Sequence, residues 1–155
     1  MIMRDFAVSS DPLRHAAQRT SAAGGMDGTD RERRPGAGAD RVATILVVED
    51  DILVRMAAAD HLRDAGHRVL EAADGQEALS LLRASEPIEV VFSDVNMPGM
   101  DGIALARWIA AELPGVKVVL TSGDSSNATA ARAVTHFLAK PYDLETLRRL
   151  IEQLI

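Results

Sequence analysis

The chain has 155 residues, 47% hydrophobic and 26% charged, the balance of a soluble globular protein with length for one domain and a proper core. No apolar run exceeds four residues, which excludes a membrane-spanning helix, and the absence of cysteine excludes disulfides, thiolate metal sites and a cysteine nucleophile. A net charge of −6 argues against general nucleic-acid binding, and Met1-Ile2-Met3-Arg4-Asp5-Phe6 leads into no secretory apolar stretch, so a cytoplasmic location is expected.

Residues 1–41 hold five of the eleven glycines, two prolines and only scattered large apolar residues such as Ile2, Phe6 and Leu13. Such a segment buries too little to offset its ordering entropy and is predicted to be a disordered extension. Residues 42–155 carry ten basic and seventeen acidic side chains, so the acidity belongs to the part predicted to fold.

From residue 42 the pattern alternates. A branched-apolar run at Thr44 to Val48 reads as a buried strand, and Val54, Ala58, Leu62 and Ala65 follow at helical spacing, with Gly66 as the stop. Val69 to Leu70 is a weak second strand. Asp74 with Glu77 forms a capping-box pattern before a helix carrying Ala78 and Leu82. Ile88 to Phe92 is the third strand, and Asp101 caps a helix with Ile103, Ala106, Ile109 and Leu113 on one face. Lys117 to Leu120 is the fourth strand and Thr135 to Leu138 the fifth, followed by Asp143 as the cap of a helix with Leu144, Leu147, Ile151 and Leu154. Strands alternating with helices predict an α/β fold built on a doubly wound five-stranded parallel sheet. The helix between the fourth and fifth strands is predicted to be shortened to one or two turns within Ser126 to Val134, since only alanines and Val134 are available to anchor it.

In open α/β sheets the site lies outside the carboxyl ends of the strands, at the switch point between the first and third strands for the order 2-1-3-4-5. The first strand ends in Glu49-Asp50-Asp51, the third in Asp94, the fourth in Thr121-Ser122 and the fifth in Lys140-Pro141. Asp51 reads as a helix cap. The other acids, brought together by adjacent strands, would repel unless a cation shared the site. With oxygen ligands alone, Mg²⁺ is the favoured ion, and it prefers phosphate oxygens as co-ligands. Asp94 is then the candidate nucleophile for an aspartyl phosphate, with Lys140 supplying positive charge and Thr121 a hydroxyl donor to the phosphoryl oxygens.

These residues resemble the receiver domain of two-component response regulators. The resemblance runs through Ile45-Leu46-Val47-Val48-Glu49-Asp50-Asp51, Asp94-Val95-Asn96-Met97-Pro98-Gly99-Met100-Asp101-Gly102, Thr121-Ser122-Gly123 and Lys140-Pro141-Tyr142, and so covers 42–155. It implies a flavodoxin-like sheet, with Asp94 as phosphoacceptor, Asp50 as a direct Mg²⁺ ligand, Glu49 as a ligand through water and Asn96 as a ligand through its main-chain carbonyl. Thr121 and Lys140 would bind the phosphoryl group, and Phe137 matches the family's switch aromatic. A sensor histidine kinase or a histidine phosphotransfer protein is the implied donor. The implied output is an unidentified downstream protein or a role as phosphate sink. Neither nucleic acid nor membrane is an expected partner. With no output module in the sequence, a single-domain regulator that turns over only its own phosphoryl group is expected. The rival enzyme reading, a Mg²⁺-dependent aspartyl-phosphate phosphohydrolase, wants a second acid two residues after the nucleophile, where this chain has Asn96. A pseudo-receiver that binds a partner without phosphorylation is disfavoured by the intact Glu49, Asp50, Asp94, Thr121 and Lys140.

Overall fold

A computed structural model of the chain describes residues 41–84, 87–133 and 135–155. The segment expected to be disordered lies outside these residues except for Arg41. The elements run β1 (Thr44–Val48), α1 (Ile52–Asp64), β2 (Arg68–Ala72), α2 (Gly75–Ala84), β3 (Val90–Asp94), α3 (Gly102–Glu112), β4 (Lys117–Ser122), α4 (Ser125–Arg132), β5 (His136–Ala139) and α5 (Leu144–Leu154). All strand pairs are parallel, in the order β2-β1-β3-β4-β5. This is the expected doubly wound sheet.

The central strands β1 and β3 read as near-continuous apolar runs because both of their faces are covered. On one face Leu46, Val48, Val91 and Leu120 pack against Ala78 and Leu79 of α2, Leu105 and Ile109 of α3, and Ala131 of α4. On the other, Ile45, Val47, Val90, Phe92 and Val119 pack against Ala58 and Leu62 of α1 and Leu147 and Ile151 of α5. The helix starts follow the sequence signals. Asp51, Asp101 and Asp143 each accept a main-chain N–H from the first turn they cap, as does Asp124, which was not expected as a cap. At α2 the Asp74 Oδ1 accepts from the Glu77 N–H, while the Glu77 carboxylate reaches one residue further back than a capping box and accepts from the Ala73 N–H. Gly66 ends α1 with φ of 93°, a conformation that favours glycine.

Three expectations need correction. The third strand lies two residues later than expected and runs through Asp94, because its ladder continues with the Val95 N–H donating to the Thr121 carbonyl. The second strand extends to five residues, all paired with β1; as an edge strand it is less covered than β1 or β3 and carries Arg68 and Glu71, which shortens the apolar run seen in the sequence. On α1 the expected stripe is only half right. Ala58 and Leu62 are buried, but Val54 is 37% exposed because the first turn, rising from the carboxyl end of β1, reaches past the sheet. The shortened fourth helix is present as an eight-residue element whose single fully buried side chain is Ala131; Val134, expected to help anchor it, lies outside the described residues.

Gly102 sets how closely α3 approaches the third strand. A Cβ on Gly102 would lie 2.2 Å from the Asp94 carbonyl oxygen, which is main chain and cannot swing aside. Gly102→Ala is expected to cost about 1–3 kcal/mol and to lower the melting midpoint by several degrees. Gly115→Ala, whose Cβ would meet nothing within 4 Å, should melt within a degree or two of the parent, so equal effects of the two substitutions in thermal denaturation would contradict this packing.

Candidate functional site

The switch point of the sheet brings Glu49, just beyond β1, beside Asp94, the last residue of β3, one step past the Val48/Ser93 pair. Glu49 is 4% exposed and Asp94 7%, while Asp50 faces solvent. One carboxylate oxygen from each of the three lies within 4.8 Å of the others, so together they could hold a metal ion. Asp51 stands apart as the α1 cap, its Oδ1 accepting from the Leu53 and Val54 N–H groups at 2.8 and 3.2 Å, as the sequence suggests.

Lys140, just after β5, reaches across the edge to the acids. Its Nζ lies 3.3 Å from Glu49 Oε2 and 3.4 Å from Asp94 Oδ2, so one ammonium bridges the two buried carboxylates. Burial holds the Glu49 carboxyl above its ordinary range. The Asp51 N–H and Lys140 pull it back, and the Asp94 charge and the Asp50 contact push it further up. Thr121 pairs with Asp94 across β3 and β4 and is fully buried, yet its Oγ1 has no hydrogen-bond partner. A buried hydroxyl without a partner is costly, and this one stands beside the acids where an incoming anionic oxygen could satisfy it. An all-oxygen donor set with two buried carboxylates is the chemistry that a hard cation and a phosphoryl group require. Asn96 lies in the loop after β3, with its side chain turned to Ser122, whose Oγ accepts from Nδ2 at 3.2 Å. Phe137 is half-buried on β5 beside Leu120, packs against the core face that α4 covers, and carries the Arg132 guanidinium 5.6 Å above its ring.

Sequence reasoning gave no role to two groups here. Arg55, one turn into α1, turns back so that Nη1 donates to the Glu49 carbonyl at 2.7 Å, while Nε lies 3.4 Å from Glu71. Tyr142 packs edge-on against Phe92, with ring centroids 5.7 Å apart. Its hydroxyl is pushed up to about 12, by burial first and then by the charges of Glu49 and Asp94. Beside them, Leu53, Val54, Ala57, Tyr142 and Leu144 line an open apolar groove of about 740 Å³ that borders Lys140.

Residues 45–152 match the family model described as the response regulator receiver domain. Among curated proteins the chain is similar to the sensor kinase CckA of Brucella abortus, 37% identical over 118 residues, covering 73% of this chain and 12% of that protein. It is also similar to a chemotaxis protein CheY homolog of Campylobacter jejuni, 33% identical over 118 residues, covering 72% of this chain and 91% of that one. The crystal structure of the receiver domain from the hybrid histidine kinase CckA superposes with a TM-score of 0.62 at 39% identity, covering 72% of this chain and 98% of that domain. The chain spans less than two thirds of the length of several curated relatives, as its 12% share of CckA illustrates. Among the described residues no helix is long and apolar enough to cross a membrane.

Tyr142 is the single tyrosine of the chain and so reports on this site without interference. Its tyrosinate absorbance is expected to rise with a midpoint near the value of about 12, against an ordinary 10.0, and Glu49→Gln should lower that midpoint. Because the folded value lies above the unfolded one, the Tyr142 proton favours the fold fully below pH 10.0, and that contribution is lost as the pH climbs toward about 12. A midpoint at the ordinary value in the folded protein would contradict the arrangement.

Proposed function

The chain belongs to the response regulator receiver domain family, its acid cluster is a receiver-type phosphoacceptor site of the kind used in phosphorelay signalling, and from that premise we propose that Asp94 takes a phosphoryl group from a histidine kinase or a histidine phosphotransfer protein. The observation that carries this reading is the gathering of Glu49, Asp50, Asp94 and Lys140 at one sheet edge beside the unpartnered Thr121 hydroxyl. Asp50 and Asp94 would hold Mg²⁺ through their carboxylates, with Glu49 and the Asn96 main-chain carbonyl completing the set of oxygen donors, and the ion would supply charge neutralisation for the anionic group in transfer.

In the transfer an Asp94 carboxylate oxygen attacks phosphorus, and the donor's P–N bond breaks with its electron pair returning to the histidine nitrogen. Lys140 Nζ, already beside Asp94, pairs with a phosphoryl oxygen, and the Thr121 Oγ1–H donates to another. The new charge and its acceptor oxygens draw Thr121 toward Asp94 and free space beside Phe137, which acts as the switch aromatic between the site and the α4 face. The phosphoryl group returns to water by hydrolysis of the same bond, so the chain modifies only itself. We assign residues 42–155 to the receiver domain and 1–41 to an extension outside it. A kinase donor draws on nucleoside triphosphate, which places the exchange in the cytoplasm.

The partner reading has support of its own. Ile52, Leu53 and Met56 are 58%, 74% and 47% exposed on α1, next to the apolar groove and to Lys140. So many large apolar side chains on one turn mark a protein-binding surface. Its position lets a donor protein present a phosphohistidine to Asp94, and the match to a sensor kinase favours such a donor.

Acetyl phosphate with Mg²⁺ is expected to add one phosphoryl group, read by intact mass, and Asp94→Asn to take none; equal labelling of that variant would overturn the assignment. Asp50→Asn should weaken Mg²⁺ binding and labelling together, whereas Asp51→Asn, which preserves a capping oxygen, should leave both nearly unchanged. Since burial keeps Glu49 protonated to higher pH than an ordinary glutamate, Mg²⁺ affinity should fall on acidification sooner than in Glu49→Gln, where that proton is absent. Leu53→Asp should slow transfer from a phosphorylated donor protein at least about tenfold, the loss given by one buried leucine, and leave labelling by acetyl phosphate unchanged. Equal slowing with both donors would place Leu53 in the chemistry rather than in docking.

A further inference from the structure

The loop after β3 is tied to α4 by side-chain amides that the phosphoryl chemistry does not use. Asn127, the third residue of α4, donates from Nδ2 to Asn96 Oδ1 at 3.1 Å and to Ser122 Oγ at 3.4 Å. Asn96 Nδ2 in turn donates to Ser122 Oγ at 3.2 Å, and the Asp124 N–H reaches the same oxygen at 3.1 Å. Ser122 is 2% exposed and follows Thr121, the partner of Asp94 in the sheet. The Asn96 carboxamide, two residues beyond Asp94, is therefore engaged at both its oxygen and its nitrogen, on the side facing α4.

Resting on the phosphoacceptor reading above, we propose that Asn127 is a positioning residue that sets the lifetime of the phosphorylated Asp94 by holding the Asn96 carboxamide against Ser122. In hydrolysis a water oxygen attacks phosphorus, the P–O bond to Asp94 breaks with its electron pair returning to the carboxylate, and the water proton leaves with the inorganic phosphate. While tethered, the Asn96 carboxamide is held toward Ser122 and α4 with one Oδ1 lone pair taken by Asn127, which keeps it from turning to orient that water. Once released from Asn127, Asn96 Oδ1 is free to accept a hydrogen bond from the attacking water, and hydrolysis speeds up. Asn127 acts through Asn96, and its effect disappears when Asn96 has no carboxamide. The same tie makes the phosphoryl lifetime sensitive to whatever displaces α4, because a partner that pulls the helix away also opens the latch.

The test is a double-mutant cycle on the whole chain, labelled with acetyl phosphate and Mg²⁺, with loss of the adduct followed by mass after the donor is removed. Asn127→Ala is expected to shorten the adduct half-life by about two- to tenfold, the range of one neutral hydrogen bond. Alanine is the best helix former, so the change removes the tie without lowering the helical propensity of α4. In an Asn96→Ala background the same substitution should leave the half-life unchanged. An unchanged or longer half-life in the parent background, or an equal shortening in both backgrounds, would overturn the positioning role. A chain that takes up no phosphoryl group at all would instead overturn the phosphoacceptor reading, and this inference with it.

Discussion

Three carboxylates meeting at one sheet edge are the constraint on which the rest of this molecule depends. Two unit charges about 4 Å apart repel by roughly 4 kcal/mol at an effective dielectric near 20, a large share of what a domain of this size has to spare. Lys140 answers part of that repulsion, since its single ammonium lies within 3.4 Å of both buried acids. One lysine cannot neutralise three acids, and Asp50 is left to solvent. The site keeps an electrostatic deficit that a hard cation would fill, and that deficit is useful. A pocket fully neutralised by its own side chains would have no reason to bind an ion or to accept an anionic group beside it.

The fold is arranged to hold this unfavourable cluster in place. Glu49 and Asp94 come from adjacent central strands whose faces are both buried, so neither carboxylate can retreat without uncoupling the sheet. Arg55 fastens the Glu49 carbonyl from the α1 side, and its link to Glu71 ties that loop to β2. On the other side Gly102 lets the start of α3 close onto the Asp94 main chain. The rigid backbone here and the unsatisfied Thr121 hydroxyl belong together: with the main chain held in place, a small movement of one side chain is enough for that hydroxyl to meet an arriving charge.

Much of this was legible in the sequence because it is carried by local pattern. Periodicity marked the strands and helices, aspartates marked four of the five described helix starts, and the alternation of elements put Glu49, Asp94, Thr121 and Lys140 at strand ends, which is where a parallel sheet exposes its site. What escaped depends on contacts between segments remote in sequence. The helical stripe through Val54 gives no sign of where α1 outruns the sheet, so a residue at core spacing proves exposed. Arg55 resembles any basic residue in a first helical turn until its reach back to Glu49 is seen. Tyr142 follows Lys140-Pro141 in a recognisable run, but its perturbation arises from the burial and charges that β1 and β3 impose. Asn127 carries no period, cap or motif at all; its partners lie in a loop 31 residues away and at the end of a neighbouring strand.

The fourth helix shows how a deficit in apolar anchoring changes the way an element is held. With Ala131 alone fully buried, α4 draws little stabilisation from the core, since alanine burial releases far less than the roughly 1.5–3 kcal/mol of a large apolar side chain. Its other links are polar or cationic: the Asp124 cap, the amide ties from Asn127, and the Arg132 guanidinium over Phe137. Such contacts are directional and individually modest, so they can be exchanged one at a time with little change in buried area. Two of them end on groups near the acid cluster, one through Asn96 and Ser122 and one through Phe137, the neighbour in β5 of the residue paired with Thr121. A helix seated on a leucine ridge would resist small changes at the site. One seated on side-chain hydrogen bonds and a stacked arginine is coupled to those changes by the same contacts that keep it folded.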